Sequence, residues 1–245
     1  MSGADRSPDL APIALVPLRT GGKSRLGAAL VGERRDALTV AMLDDVLTAL
    51  RGAGVHDVRL LAGGRGAGRV AAARGLPTIA DPPPPVGGAP DPARPTAHGT
   101  STGGDVRLRA AVDAALAGLP DDRPRIVVAA DLPRLAAADV TAVLAHPADV
   151  AVAPTAGGGT ALLRLAAGVR LPTRYGPGSA DGHLRAGTAA GRSVALLDLP
   201  GARADVDASS DLAALLADVD GRGPGAATAA FLADLRGYPP RHVSS

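Results

Sequence analysis

Short runs rich in Val, Leu and Ile alternate with alanine-rich segments of helical periodicity along most of this chain of 245 residues. Strands that alternate with helices predict an α/β sandwich with a largely parallel sheet, because parallel strands need a crossover connection. The chain has one Phe, two Tyr and no Trp. The core of such a sandwich must therefore consist of aliphatic side chains.

Hydrophobic periodicity places the predicted elements along the chain. The predicted strands are 13–17, 58–62, 125–130, 150–154, 160–165 and 194–197. The predicted helices are 33–51, 105–117, 136–145, 211–218 and 226–236. We expect one domain, 11–237, between a disordered N-terminal tail, 1–10, and a C-terminal tail, 238–245. Segment 82–104 is rich in Pro and Gly and predicts a long surface loop within that domain.

Composition excludes several classes of function. The chain has no cysteine, which excludes disulfides, thiolate chemistry and cysteine zinc sites, and its five histidines are scattered without metal-ligand spacing. A net charge of +2 and the near absence of aromatic side chains argue against nucleic-acid binding. No apolar run approaches the roughly 20 residues that a membrane span needs. We therefore expect a soluble cytoplasmic protein.

Lys23 is the only lysine in a chain with 26 lysines and arginines. It follows Gly21 and Gly22 after the first predicted strand, where phosphates are commonly held, and its compact charge differs from that of arginine. A P-loop would need glycine where Pro17 stands, so this loop is not a P-loop. The glycines of 63–68 also lack the spacing of a dinucleotide fingerprint, and we interpret them as a flexible turn between strand and helix.

Carboxylates follow two predicted strands, and ligands of open α/β sheets bind beyond the carboxyl ends of strands. Asp131 comes after strand 125–130 and is either a Mg²⁺ ligand or a cap of the next helix. Alternation places Asp205 and Asp207 on one face, where two acids repel unless a cation lies between them. Asp211 is more simply the start of the following helix.

Two glycine-containing loops can present backbone N–H groups and hydroxyls to an anion. The first, 157–160, ends in Thr160, and the second, 175–179, contains Gly176 and ends in Ser179. Each loop alone is more typical of a turn than of a site. The segment that contains Gly21, Gly22, Lys23 and Arg25 is called the lysine loop below. Together with the lysine loop and the acids, the two glycine-containing loops form a recognisable set.

This set resembles the 2-phospho-L-lactate and phosphoenolpyruvate guanylyltransferases of coenzyme F420 biosynthesis. The pattern covers roughly residues 13–230. The motifs that carry it are Gly-Gly-Lys23-Ser-Arg25-Leu, Ala-Asp131-Leu-Pro, Gly-Gly-Thr160-Ala-Leu, Tyr-Gly176-Pro-Gly-Ser179 and Asp205-Val-Asp207, followed by Asp211-Leu. The resemblance implies a Rossmann-like nucleotidyltransferase fold, an α/β/α sandwich with a mostly parallel mixed sheet.

The resemblance also implies the reaction. The family couples GTP to a small phosphorylated acid, which is 2-phospho-L-lactate in archaeal and phosphoenolpyruvate in actinobacterial members, and releases pyrophosphate. The arginine and alanine bias is typical of GC-rich actinobacterial sequences, which favours phosphoenolpyruvate, and 3-phosphoglycerate stays open as an acceptor. The product, enolpyruvoyl-2-diphospho-5'-guanosine, would go to a transferase that acts on the deazaflavin precursor.

The resemblance assigns roles to ten residues. Lys23 and Arg25, with Gly21 and Gly22, would bind the nucleotide phosphates, and Lys23, Arg25 and Asp131 would be catalytic. Mg²⁺ would be held by Asp131 and Asp205, with Asp207 either as an alternative ligand or as a residue that supports the ligands from behind. Phosphoenolpyruvate would bind to Thr160, Gly176 and Ser179.

The chain departs from the family pattern at two arginines. Members carry a lysine near Arg19, and they have asparagine where Arg109 stands. Two alternatives remain: a molybdenum-cofactor guanylyltransferase of the same fold, against which the 175–179 loop argues, and a non-catalytic nucleotide-binding protein. The sequence leaves the oligomeric state open, with a homodimer as one option.

Overall fold

The computed structural model of the chain describes residues 11–19, 26, 30, 32–64, 66–80, 103–217 and 223–237. Within these ranges, seven strands form one mixed sheet in the order β3-β2-β1-β4-β6-β5-β7. The strands are β1 (Ile13–Arg19), β2 (Asp57–Gly63), β3 (Thr78–Ala80), β4 (Arg125–Val128), β5 (Val150–Pro154), β6 (Thr160–Leu165) and β7 (Val194–Leu196). This arrangement confirms the predicted mixed sheet.

Strand β6 runs against the direction of the rest of the sheet. It pairs antiparallel with both β4 and β5, whereas β1 pairs parallel with β2 and β4, and β5 pairs parallel with β7. The reversal follows from the short connection between β5 and β6, since only antiparallel strands can be joined by a tight hairpin. Gly158 allows the turn with a φ of 76°.

Helices cover both faces of the sheet. In the described ranges they are α1 (Glu33–Gly52), α2 (Ala67–Ala72), α3 (Gly103–Gly118), α4 (Ala137–Ala145), α5 (Ser179–Ala189), α6 (Ser209–Ala217) and α7 (Ala226–Gly237). A short 3-10 helix spans Pro200–Ala202. Over this part of the chain no helix combines the length and the apolar character that crossing a membrane requires.

The alternation of side chains along β1 divides the core into two layers. Ala14 and Val16 are fully buried against α1, α2 and α4, whereas Ile13 and Leu15 are fully buried against α3 and α5 on the opposite face. A strand covered on both faces reads as a continuous apolar run, which is why it was visible in the sequence. The predicted α/β/α sandwich is confirmed.

Several predicted bounds need correction. Strand β1 continues past residue 17 to Arg19, and β4 ends at Val128 rather than at residue 130. Helix α3 begins at Gly103, so the last two residues of the predicted 82–104 loop are helical. The other residues of that loop and the tails 1–10 and 238–245 lie outside the described residues.

Apart from the short 3-10 helix, two α-helices and one strand were not predicted from the sequence. Helix α2 and strand β3 are too short for a periodic pattern to stand out, so the turn predicted at 63–68 in fact runs directly into α2 at Ala67. Helix α5 was missed because its buried positions are Ser179, Ala180, His183 and Gly187, which form no apolar stripe. Periodicity detects a hydrophobic face, and this face is small and polar.

Candidate active site

The carboxyl ends of β1, β2 and β4 and the amino end of β6 meet at one edge of the sheet. This follows from the direction of β6, whose first residue, Thr160, comes to lie where β4 ends. The backbone N–H of Ala129 donates to the carbonyl oxygen of Ala161 over 2.9 Å and joins the two strands there. Asp131 follows directly, so the hairpin reversal brings two motifs that are distant in sequence to one place.

A cleft of about 360 Å³ opens at this edge. Its volume is in the range of small-molecule sites, and its position beyond the strand ends is where ligands of such sheets bind. It is lined by Pro17, Leu18, Arg19, Thr39, Leu61, Gly63, Gly104, Leu108, Ala111, Val127, Ala129, Ala130, Asp131, Thr160, Tyr175 and Asp207. Residues from β1, β2, α3, the end of β4 and β6 thus share one concave surface.

Asp131 and Asp207 both line the cleft. The backbone N–H of Val206 donates to the carbonyl oxygen of Asp131 over 3.2 Å, and the side chain of Val206 is buried among Leu38 and other apolar residues. Val206 thus points into the core, and Asp205 and Asp207 lie on either side of it in the sequence. Asp205 is not among the residues that line the cleft, although the sequence analysis favoured Asp205 over Asp207 as a metal ligand.

Asp211 and Asp139 bond to backbone N–H groups at the starts of α6 and α4, which distinguishes them from the acids that line the cleft. The carboxylate of Asp211, in the first turn of α6, accepts the backbone N–H groups of Asp207 and Ala208 over 3.0 Å and 2.7 Å, so Asp211 belongs to the start of that helix as predicted. Helix α4 is preceded by Ala136, whose N–H donates to Asp139 over 3.0 Å. Asp131 lies five residues before Ala136 and therefore does not cap α4.

The acids of the cleft suit a magnesium ion better than a metal with an all-protein shell. Among the described residues no group of three His, Cys, Asp or Glu side chains could hold a metal ion. Mg²⁺ is commonly bound by one or two carboxylates together with substrate phosphates and water. Asp131 and Asp207 fit that donor set.

Three buried polar side chains adjoin the cleft on the β6 side. The hydroxyl of Thr160 lies 2.9 Å from the hydroxyl of Ser179 and 3.0 Å from Nδ1 of His183. Nε2 of His183 accepts the backbone N–H of Arg174 over 2.8 Å. Thr160 and Ser179 were both predicted as acceptor-binding residues, and the structure brings them into direct contact.

Glycines shape the loop that precedes α5. Gly176 and Gly178 have φ values of 128° and 65°, which other residues rarely adopt. The N–H of Ser179 donates to the carbonyl oxygen of Gly176 over 3.1 Å, and the N–H of Ala180 donates to that of Gly158 over 3.3 Å. The first turn of α5 is thereby fixed beside Thr160, and a helix N-terminus favours anions.

Arg109 supports the same loop from α3. Its guanidinium donates to the carbonyl oxygen of Tyr175 over 2.8 Å, and its Nε is buried without a hydrogen-bond partner. The Tyr175 ring meets the His183 ring edge to face, with centroids 5.0 Å apart. Burial, together with the charge of Asp113, raises the pKa of Tyr175, so its hydroxyl stays protonated.

Sequence reasoning missed His183, which is fully buried. Burial lowers its pKa to about 4, and the charges of Arg174 and Arg109 act in the same direction against a hydrogen bond with Ser179. The signal that could have found it is its spacing of four residues after Ser179, which puts both side chains on one face of a helix. A search for metal-ligand spacing does not detect such a pair.

The lysine loop lies outside the described residues. Gly21, Gly22, Lys23 and Arg25 therefore keep the roles that the sequence predicts, without a structural account. Arg19 and Gly63, which end β1 and β2, both line the cleft. Arg19, the last described residue before the lysine loop, therefore lies at the cleft.

The sequence matches the family described as "Guanylyl transferase CofC like" over residues 102–237. The matched segment contains every predicted site residue outside the lysine loop. It covers more than half of the chain.

Curated relatives match over most of the chain. A 3-phospho-D-glycerate guanylyltransferase of Phenylobacterium zucineum is 34% identical over 88% of this chain and 92% of its own length. A phosphoenolpyruvate guanylyltransferase of Roseiflexus sp. is 31% identical over 81% and 82%, respectively. A 2-phospho-L-lactate guanylyltransferase of Methanosarcina acetivorans is 30% identical over 86% and 88%. The three relatives share guanylyl transfer and differ in the acid named.

Solved structures support the fold. A protein of Desulfovibrio desulfuricans G20 proposed to be a nucleotide-diphospho-sugar transferase aligns with a TM-score of 0.64 at 17% identity, over 94% of this chain and 99% of its own. A nucleotidyl transferase from Methanothermobacter thermautotroptrophicus aligns with a TM-score of 0.52 at 16% identity, over 91% and 99%. The family match and the relatives do not favour the molybdenum-cofactor or non-catalytic alternatives. The chain is a nucleotidyltransferase and belongs to the CofC-like guanylyl transferase family of coenzyme F420 biosynthesis.

Proposed function

We propose that this enzyme transfers GMP from GTP to phosphoenolpyruvate, forming enolpyruvoyl-2-diphospho-5'-guanosine and pyrophosphate. The observation that carries the proposal is the contact of 2.9 Å between the Thr160 and Ser179 hydroxyls at the start of α5, beside a cleft lined by Asp131 and Asp207. Two hydroxyls at a helix N-terminus suit an anionic acceptor, and two carboxylates suit the magnesium complex of a nucleotide. The cleft thus has complementary sides for two anionic substrates.

The reaction needs positioning more than proton transfer. A phosphate oxygen of the acceptor attacks the α-phosphorus of GTP, a new P–O bond forms, and the bond to the departing pyrophosphate breaks. The attacking oxygen is already anionic, so no general base is required. Alignment of the two substrates and stabilisation of charge on the leaving group carry such a step. Thr160, Ser179 and the N–H groups near Gly176 would orient the acceptor.

The nucleotide side is assigned from the cleft acids and the lysine loop. Asp131 and Asp207 would hold Mg²⁺, with Asp205 next to them, and a bound Mg²⁺ would neutralise negative charge on the triphosphate. Lys23 and Arg25 would stabilise charge on the leaving pyrophosphate, and Gly21 and Gly22 would let the backbone approach the phosphates. The exposed guanidinium of Arg19 at the end of β1 adds positive charge at the same cleft.

A second acceptor deserves the same assay. The relative from Phenylobacterium zucineum, which is 34% identical, is named for 3-phospho-D-glycerate. Phosphoenolpyruvate and 3-phosphoglycerate both combine a phosphate with a carboxylate, so the same hydroxyl pair could receive either. The arginine-rich composition favours phosphoenolpyruvate through the actinobacterial members of the family.

Wider assignments follow from this function. We assign residues 11–237 to one nucleotidyltransferase domain that works in the cytoplasm, where GTP and phosphoenolpyruvate are available. The product carries an activated diphosphate linkage, so the consuming enzyme would be a transferase that moves the acid phosphate to the deazaflavin precursor. A homodimer would be detected by the mass of the protein in solution.

The test is an acceptor panel. The enzyme is incubated with GTP, MgCl₂ and, in turn, phosphoenolpyruvate, 2-phospho-L-lactate and 3-phosphoglycerate, and pyrophosphate release and the mass of the product are measured. We expect the highest kcat/KM with phosphoenolpyruvate. Preference for 3-phosphoglycerate would replace the acceptor but keep the reaction, and no pyrophosphate with any of the three acids would refute the proposal. ATP in place of GTP serves as the nucleotide control.

A further inference from the structure

Besides the backbone of Ser179, the buried His183 of α5 contacts two groups that differ in what they can donate or accept. Nε2 of His183 lies 2.8 Å from the backbone nitrogen of Arg174, and Nδ1 lies 3.0 Å from the hydroxyl oxygen of Thr160. A backbone N–H can only donate, whereas a hydroxyl can donate or accept. The first contact therefore determines how the second one is made.

The Arg174 contact selects one tautomer of the ring. Nε2 must carry a lone pair to accept that N–H, and in a neutral imidazole the proton then resides on Nδ1. The opposite tautomer would set two N–H groups against each other at 2.8 Å. A doubly protonated ring meets the same clash and also faces the guanidinium groups of Arg174 and Arg109. The ring is thus neutral, with its hydrogen on Nδ1.

This tautomer determines whether the Thr160–Ser179 hydroxyl pair presents a hydrogen or a lone pair to the cleft. Nδ1–H donates to Thr160 Oγ1, so the Thr160 hydroxyl cannot donate a hydrogen bond to the ring. One of the two hydroxyls donates to the other across 2.9 Å, which leaves a single hydrogen of the pair for a ligand. Thr160 lines the cleft, and a free hydroxyl hydrogen there suits an anion. With an unprotonated Nδ1, Thr160 would donate to the ring and its lone pairs would repel the anion.

We propose that His183 is a positioning residue, which acts through Thr160 and keeps the Thr160–Ser179 hydroxyl pair as a hydrogen-bond donor to the acid substrate. The inference rests on the proposed acceptor function of that pair. His183 itself lies behind the two hydroxyls and is fully buried, so it touches neither substrate nor metal. Its edge-to-face contact with Tyr175 fixes the plane of the ring.

The kinetic test is a double-mutant cycle with phosphoenolpyruvate as the probe. His183→Gln can keep an acceptor for the Arg174 N–H but has no donor at the Nδ1 position, and Thr160→Val removes the hydroxyl. Each change should raise KM for phosphoenolpyruvate about tenfold and leave KM for GTP within about twofold, as expected for one charge-assisted hydrogen bond. The double variant should lose no more than Thr160→Val alone, because the histidine acts through that threonine.

Two further variants separate positioning from stability. His183→Asn retains an N–H group near Nδ1 and should recover part of the affinity for phosphoenolpyruvate. His56→Gln is the matched control, since His56 is exposed before β2, on the far side of the sheet from the cleft. Additive losses in the double variant, or parallel losses for GTP and phosphoenolpyruvate, would mean that His183 has only a structural role and would overturn the inference.

A spectroscopic measurement decides the tautomer independently of turnover. The ¹⁵N spectrum of histidine-labelled enzyme, assigned by comparison with His183→Gln, should show the hydrogen of His183 on Nδ1 from pH 6 to pH 8. A hydrogen on Nε2, or titration near pH 6.5, would overturn the inference even in an active enzyme. Failure of the wild-type enzyme with all three acids would instead refute the proposed function, and the tautomer would still be tested.

Discussion

The backbone N–H of Val206 donates a hydrogen bond to the carbonyl oxygen of Asp131 over 3.2 Å. This bond ties the segment before α6 to the end of β4, and the buried side chain of Val206 anchors it in the core. Two carboxylates from distant parts of the chain, those of Asp131 and Asp207, consequently line one cleft. Backbone and core contacts around Val206 thus fix the positions of the two acids at the cleft.

Asp131→Asn should lower turnover by on the order of 100-fold while the protein stays folded, because the amide keeps the shape of the side chain and loses its charge. Pyrophosphate release with GTP, MgCl₂ and phosphoenolpyruvate measures the effect, and circular dichroism reports the fold. Asp122→Asn is the matched control, since Asp122 is exposed before β4 at the opposite edge of the sheet. Normal turnover of Asp131→Asn would remove the metal assignment.

Asp207→Asn should impair the enzyme more than Asp205→Asn does, because only Asp207 lines the cleft. The clearest measurement is the MgCl₂ concentration that gives half-maximal rate, which should rise about tenfold for the Asp207 variant. Chelation by EDTA should abolish turnover of the wild-type enzyme, and added MgCl₂ should restore it. A larger effect of Asp205→Asn would mean that Asp205, which the sequence favoured, is the metal ligand.

Lys23→Arg should lower kcat/KM for GTP about tenfold, because the planar guanidinium does not replace a compact ammonium at a phosphate. Lys23 is the only lysine among the 26 lysines and arginines of the chain, so this position differs from every other arginine or lysine position. Arg192→Lys, at an exposed site after α5, makes the reverse exchange as a control and should leave the rate unchanged. An unimpaired Lys23→Arg enzyme would show that the lone lysine has no special role.

Gly187→Ala should destabilise the protein by about 1–3 kcal/mol through overpacking. A Cβ at Gly187 would lie 2.5 Å from Cγ1 of Val194 and 3.5 Å from Cγ2 of Val150, so α5 would have to move away from the sheet. Gly118→Ala is the matched control, because a Cβ there meets nothing within 4 Å at the end of α3. Urea unfolding compares the two variants, and equal stability would contradict the close packing of α5.

The stability of the protein should fall as the pH decreases from 7 to 5, partly because of His183. Burial lowers the pKa of His183 to about 4, whereas an unfolded histidine titrates near 6.5. Between those values the unfolded chain binds a proton that the folded chain does not bind, so acid favours unfolding. The contribution of this residue between pH 7 and pH 5 is about 2 kcal/mol.

The check is the free energy of unfolding of the wild type and of His183→Gln, measured in urea at both pH values. The wild type should lose more stability than the variant on acidification, by roughly the amount assigned to His183. Identical losses in the two proteins would mean that the histidine is accessible to protons in the folded state.

Sequence reasoning captured the strands whose residues are buried on both faces and the longer amphipathic helices. Ile13 and Leu15 belong to a continuous apolar run, and Leu38 and Met42 recur at helical spacing in α1, so each element was visible locally. The sequence pattern did not indicate α5, because the buried face of α5 consists of small and polar residues and lacks a hydrophobic pattern. The exact ends of β1 and β4 depend on pairing with neighbouring strands, which no local pattern records.

The site was predictable to the extent that its residues follow predicted strands. Asp131 and Thr160 were found from their positions after and at the start of apolar runs, and both line the cleft. The choice between Asp205 and Asp207 depends on how the segment around Val206 bends toward β4, which is a tertiary property. His183 depends on the contact between α5 and β6 and was equally hidden.

The antiparallel direction of β6 has a consequence for how substrate preference can change. Because β6 starts at the cleft and the chain returns to it through the 175–179 loop, Thr160, Ser179 and His183 all come from the continuous segment 160–183. We expect that exchange of this segment together with Arg109 of α3, which donates to the carbonyl oxygen of Tyr175, would exchange the proposed acceptor side as one unit, while β1, β2 and the end of β4 stay in place. Chimeras built on that boundary would transplant the choice of acid without rebuilding the nucleotide side.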